Sequence, residues 1–156
     1  CIRDRFMSIQ GKESVDSIHK KLGHIMWEYV GMGRTAEGLK KGIAELKAVR
    51  KEFETNLFIP GSKEGMNVEL DKAIRLYDFI TMGELVAYDA LNRNESCGGH
   101  FREEYQTEEG EAKRDDENFF YVACWEYQGD DEKAPVLYKE PLVYEAIKVQ
   151  TRNYKS

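Results

Sequence analysis

Cysteine is scarce and unpatterned in this 156-residue chain: Cys1, Cys97 and Cys124 are an odd number without regular spacing. That excludes a disulfide framework as the organising device and suits a reducing compartment. Positive charge is in the minority, 23 Lys and Arg against 29 Asp and Glu, for a net charge of −6. A nucleic-acid footprint needs a basic face, so no nucleic-acid partner is expected. The basic stretches KKLGH and LKKGIAELKAVRK read as the solvated sides of helices. No apolar run approaches the ~20 residues that cross a bilayer. The opening CIRDRFMSIQGK lacks the apolar centre of a signal peptide. The chain starts on Cys1 rather than Met, and it reads as a piece of a longer polypeptide. Two phosphate-binding signatures are also missing, G-x-G-x-x-G and G-x-x-x-x-G-K-[ST]. The glycine-rich GMGRTAEG joins two helical stretches and reads as a turn.

What remains is enough for a core, with 41% apolar residues and 12% aromatics. The first two thirds repeat apolar residues every three or four positions. After the N-cap candidate Ser14 the stripe is Val15, Ile18, Leu22, Ile25 and Tyr29, with Gly31 and Gly33 as stops. After Thr35 it is Leu39, Ile43, Leu46, Val49, Phe53 and Leu57, ended by Ile59-Pro60-Gly61. After Asn67 it is Leu70, Ile74, Tyr77, Ile80, Val86 and Leu91. Gly38, Gly42 and Gly83 fall inside these helices, and close helix approach is the reason to tolerate them. Short connections make the three helices an antiparallel bundle of spectrin-repeat type. We therefore expect a mainly α fold, with a bundle over residues 1–102 and an appended portion over 103–156.

The appended portion begins as an acidic, irregular excursion from Glu103 to Asn118. FFYVACWEYQ and VLYKEPLVYEAIKV then flank the breaker GDDEKAP, which predicts a β-hairpin and tail. An isolated hairpin is marginal in water and must lean on the bundle or on a partner.

The chemically densest segment is Asn94 to Glu104, NESCGGHFREE. A metal site could use Cys97 and His100 with Cys124 or His24, but structural zinc takes four ligands in two close pairs and only one pair exists. A nucleophile could be Cys97 with His100 and Glu95, but no second constellation supports it. His19 and His24 lie five apart and do not share a helix face. The structural reading fits better. Gly98 and Gly99 permit a tight turn with positive φ and close backbone contact, while Glu95, His100, Arg102 and Glu103 satisfy one another and the backbone where the chain leaves the bundle. No catalytic, cofactor-binding or metal residue is assigned.

Taken in order, HKKLGHIMWEYVGMGRTAEGL, NLFIPG, ELDKAIRLYDFITMGELVAYDAL, RNESCGGHFREEYQTEEGEAKRDDENFFYVACWEYQG and KEPLVYEAIKVQTRNYK carry a resemblance. The chain resembles, essentially end to end, the C-terminal region of the flavoprotein subunit of succinate dehydrogenases and fumarate reductases. The run R-x-E-S-x-G-x-H-x-R-E, here Arg93, Glu95, Ser96, Gly98, His100, Arg102 and Glu103, is its most specific part. Many members have arginine and then GAH where this chain has Cys97-Gly98-Gly99-His100; the ESCGGHFREE form looks like the branch with a diheme membrane anchor.

The resemblance implies a parent enzyme that interconverts succinate and fumarate with FAD. It also implies an iron–sulfur subunit, a heme-bearing membrane anchor reached indirectly, and a place at the cytoplasmic face of the inner membrane. FAD and substrate would be held by the flavin-binding and capping domains upstream, with this chain packed against them as scaffold. A free-standing helical interaction module is the alternative.

Overall fold

A computed structural model describes residues 1–129 and 133–150. The chain runs α1 (Ile2–Met7), β1 (Glu13–Ser14), α2 (Val15–Val30), β2 (Gly33–Arg34), α3 (Ala36–Asn56) and β3 (Leu57–Phe58). It continues as α4 (Val68–Asn92), β4 (Phe101–Arg102), α5 (Asp116–Phe119), β5 (Tyr121–Glu126) and β6 (Val136–Pro141). The fold is mainly helical.

Each long helix starts on a side chain able to accept a first-turn amide. Ser14 accepts from the Ser17 N–H at 3.1 Å, Thr35 from Gly38 at 3.0 Å and Asn67 from Leu70 at 3.1 Å. Asp16, Glu37 and Glu69 add negative charge beside these amides. α2, α3 and α4 each touch the other two, and the apolar stripes meet in one core. Ile18, Leu39, Leu46, Phe53 and Ile80 are fully buried there.

Two interior glycines sit where helices approach closely. A Cβ on Gly42 of α3 would lie 2.8 Å from the Cβ of Tyr29 on α2. One on Gly83 of α4 would meet Met26, Leu22 and Leu46 at 3.1–3.8 Å. Gly38 instead sits over its own cap, 3.0 Å from the Thr35 hydroxyl. A part-buried ion pair joins α3 to α4: Arg50 donates to both Glu84 oxygens at 2.9 and 2.8 Å and to Thr81 at 3.1 Å.

Several sequence expectations need correction. Val86 does not point inward; it is 40% exposed, and Ala87 is fully buried in its place. Six residues from Ile80 is a rotation of about 240°, whereas seven returns to the same face. α1 was not foreseen, being too short to show a period. Its Phe6 is fully buried, with ring centroids 5.0 Å from Phe53 and 5.5 Å from Tyr77. The two parallel pairings, β1 with β3 and β2 with β4, join residues distant in sequence and leave no local pattern.

The hairpin is present, with β5 antiparallel to β6 from Tyr121↔Pro141 to Glu126↔Val136. It leans on α4: the Trp125 indole N–H donates to Asp89 at 2.7 Å and its ring meets Tyr88 edge-on at 5.1 Å. Asp130 to Glu132 of the expected turn lie outside the described residues, as do Thr151 to Ser156 of the tail. The strand composition of the tail does not continue the strand beyond Pro141. β5 begins at Tyr121, preceded by α5, so further residues of the tail have no strand beside them.

The glycines supply a paired test. Gly42→Ala should lower stability by about 1–3 kcal/mol, because Tyr29 must move. Gly23→Ala should raise it by up to ~1 kcal/mol, because a Cβ there meets nothing within 4 Å and Ala is the better helix former. Urea unfolding measures both; equal effects would contradict the close approach of α2 and α3.

Candidate functional site

The segment from Arg93 to Glu104 closes over the ends of three helices. α4 stops at Asn92, and its last carbonyls need donors. Arg102 supplies them, donating from Nη1 to the carbonyls of Ala90 at 3.0 Å and Leu91 at 3.3 Å. Its guanidinium also reaches Glu104 through Nε at 3.1 Å and lies 5.4 Å from the centre of the Tyr105 ring. At 2% exposure, it is among the largest fully enclosed side chains of the chain. Glu104 in turn accepts from the Ala36 N–H at the start of α3. Burial works to raise the Glu104 pKa, but the bonds from Ala36 and Arg102 hold it below the usual carboxylate range.

Arg34 performs the same service for α2. Its Nε donates to the carbonyls of Val30 at 3.2 Å and Gly31 at 2.9 Å, while its backbone pairs with Arg102 through β2 and β4. The Glu103 N–H closes that pairing on the Arg34 carbonyl at 2.8 Å. A positive group at a helix C-terminus is favoured by the helix dipole, and here two buried or half-buried arginines take that place.

His100 bridges the two ends, with Nδ1 2.7 Å from Arg34 Nη1 and Nε2 3.0 Å from the Arg93 carbonyl. Burial lowers its pKa from the ordinary histidine value, the Arg93 carbonyl acts in the opposite direction, and the charges of Arg34, Arg102 and Arg93 lower it further.

Glu95 and Ser96 tie the excursion to this knot. Glu95, 2% exposed, accepts from Arg93 Nε at 2.8 Å with one oxygen and from the Asp115 N–H at 2.9 Å with the other. Arg93 also donates to the Phe119 carbonyl at 2.7 Å. The fully buried Ser96 accepts the Arg102 N–H at 2.8 Å, and its N–H donates to the Lys113 carbonyl at 2.9 Å. Residues 103–115 are thus irregular but anchored, whereas the last positions of the expected irregular excursion, 116–118, belong to the short helix α5.

Cys97 and His100 pair only through their backbones, at 2.8 and 3.0 Å, with Gly98 at φ +58° in the turn between them. That is a tight turn that glycine serves at little cost. The expected close backbone contact is missing: a Cβ on Gly98 or Gly99 would meet nothing within 4 Å.

The structure therefore brings Arg93, Glu95, Ser96, His100 and Arg102 into one network, and Glu103 joins it through its backbone. The sequence reading missed Arg34, Glu104 and the Asp115 amide. The only signal for Arg34 was a lone cation just past the glycine stop of α2. As chemistry, the network is committed. Both His100 nitrogens and both Glu95 oxygens are engaged, which leaves neither as a base for the Cys97 thiol. Among the described residues, no three His, Cys, Asp or Glu side chains gather as a metal site. The parallel pairs among those residues are two residues long, and the GMGRTAEG connection holds only the two-residue β2 between α2 and α3, so they do not supply the extended sheet and glycine-rich turn of an FAD cradle.

This arrangement now has its context. The chain belongs to the family described as fumarate reductase flavoprotein C-term, whose model matches residues 19–154. The fumarate reductase flavoprotein subunit of Proteus vulgaris is 32% identical over 115 residues, covering 74% of this chain and 18% of that protein. A chloroplastic L-aspartate oxidase of Oryza sativa subsp. japonica is 36% identical over 103 residues, 65% of this chain and 15% of that protein. A solved quinol-fumarate reductase with menaquinol molecules shares the fold at a TM-score of 0.78 and 24% identity, over 94% of this chain and 24% of that one. The chain spans less than a fifth of the length of these curated relatives.

Removing the Glu95 carboxylate should leave Arg93 and the Asp115 amide without their buried acceptor. Glu95→Ala is expected to cost about 2–4 kcal/mol in urea unfolding. A loss under ~0.5 kcal/mol would show that the excursion is not held by this residue.

Proposed function

We propose that this chain is the C-terminal domain of the flavoprotein subunit of a succinate dehydrogenase or fumarate reductase, and that its work there is structural. In this reading residues 1–102 are an antiparallel three-helix bundle of spectrin-repeat type, and 103–156 an excursion and hairpin tail packed on it. The flavin-binding and capping domains belong to the same polypeptide. The iron–sulfur subunit is a partner whose nearby surface this domain helps to form, and the membrane anchor, with its heme, is reached only indirectly. The parent interconverts succinate and fumarate at the cytoplasmic face of the inner membrane and exchanges electrons with quinone. FAD, when bound by the parent, supplies the hydride chemistry. No helix among the described residues is long and apolar enough to cross a membrane.

The observation that carries this reading is the buried network itself. Arg93, Glu95, Ser96, His100 and Arg102 stand in the most family-specific run of the sequence, and every one is spent on helix ends or backbone. Such residues position the exit of α4 against whatever packs on it; they leave no group poised to react. Gly98 and Gly99 form the turn that lets the run double back. The fumarate reductase flavoprotein similarity covers 74% of the chain and the L-aspartate oxidase similarity 65%, and the fuller cover supports the succinate and fumarate group.

Arg102→Ala in the intact flavoprotein tests the assignment. It should lower the melting midpoint by several degrees and reduce the yield of assembled complex, with turnover per assembled complex within about threefold of wild type. Unaltered assembly and melting with turnover down about a hundredfold would make Arg102 a participant in the reaction.

A further inference from the structure

We propose that His100 is a proton-operated latch: protonation of its ring releases the Arg34 guanidinium, and with it a side-chain cross-link between the end of α2 and the exit of α4. The geometry admits one protonation state. A guanidinium has donors and no acceptor, so the Nδ1 facing Arg34 Nη1 at 2.7 Å must carry a lone pair. A carbonyl only accepts, so the Nε2 at 3.0 Å from the Arg93 oxygen must carry the hydrogen. The ring is the neutral Nε2–H tautomer. Adding a proton leaves the bond to Arg93 intact but turns Nδ1 into a donor, setting two donors and two positive charges against each other across the Arg34 contact.

The surroundings sharpen the effect. Arg34 of β2, Arg93 at the end of α4 and Arg102 of β4 all bear on the ring. Cys97 of the turn, Asp89 of α4 and Tyr121 of β5 line the same cleft, of about 570 Å³. Three cations face the ring, and Asp89 is the one carboxylate among the cleft-lining residues. Asp89 already favours the charge of Arg34, so it gives the released guanidinium somewhere to go, and the cleft gives it room. What loosens is specific. The Arg34 guanidinium joins the last carbonyls of α2 to His100 at the exit of α4, so its departure from the ring removes that side-chain cross-link, while the backbone pairing of β2 with β4 stays in place.

The direction follows from the lowered affinity of the folded ring for protons. The unfolded chain binds the proton first as pH falls, so the latch contributes its full stability above the ordinary histidine range. That contribution is lost as pH falls from the ordinary value through the folded one.

The test uses the intact polypeptide in which this chain occurs, with nitrogen-15-labelled histidines. At about pH 7.5, His100 should show the Nε2–H tautomer, and its titration midpoint should lie below ~6.5. Between about pH 7.5 and 5.5 the wild-type melting midpoint should fall by ~3 °C or more beyond that of His100→Gln, which keeps an acceptor and a donor but does not titrate. Arg34→Gln should move the His100 midpoint up toward the ordinary value, and this needs no folded His100 variant. An Nδ1–H tautomer, a wild-type midpoint at or above ~6.5, equal pH dependence in wild type and His100→Gln, or a midpoint unmoved by Arg34→Gln would each overturn the proposal.

Discussion

A guanidinium cannot shed its charge, so one buried at 2% exposure has to be met by acceptors in fixed positions. Arg102 meets this demand with the carbonyls that α4 leaves open at its end and with Glu104, whose other oxygen serves the start of α3. The need of the charge and the need of the helix termini are answered by the same bonds. The rest of the segment follows from that match. Ser96 fixes the Arg102 backbone, β4 brings Arg102 beside β2, and Arg34 then lies at the end of α2. The helices do not depend on this knot to form, since their caps and stripes are local. Their relative placement at this end does, because α2, α3 and α4 are cross-linked there by side chains none of them contains.

Much of this was legible in the amino-acid sequence, for identifiable reasons. N-caps are local chemistry, and Ser14, Thr35 and Asn67 each make the bond their position suggests. Helical stripes follow from a fixed period, and they failed only where bulk was preferred to spacing, at Val86 in place of Ala87. The hairpin was visible in its aromatic and β-branched composition. The two parallel pairings, the burial of Phe6 and the role of Arg34 were not, because each depends on residues brought together from distant parts of the chain. The dense polar run around His100 was recognisable as important, but its partners were hidden for the same reason.

The surface also bears on what the chain does. Val143 and Ile147 in the tail and Val122 and Tyr138 on the hairpin are exposed, as are Trp27 and Met82 on the helices. These apolar groups lie outside the core that organises the bundle. In the reading proposed above, some of these groups would meet the upstream domains on which this chain packs. The exposure agrees with a chain that spans under a fifth of its relatives' length and whose polar network is turned to holding helices together.

Native-state hydrogen exchange of the intact polypeptide addresses the central claim, that the segment from Glu95 to Glu103 is part of the framework. The account predicts that the amides of Ser96, Cys97, Arg102 and Glu103 open together with the interior amides of α3 and α4, in one cooperative unit. Exchange of those amides at the rate of an unstructured loop, while the helices stay protected, would contradict it.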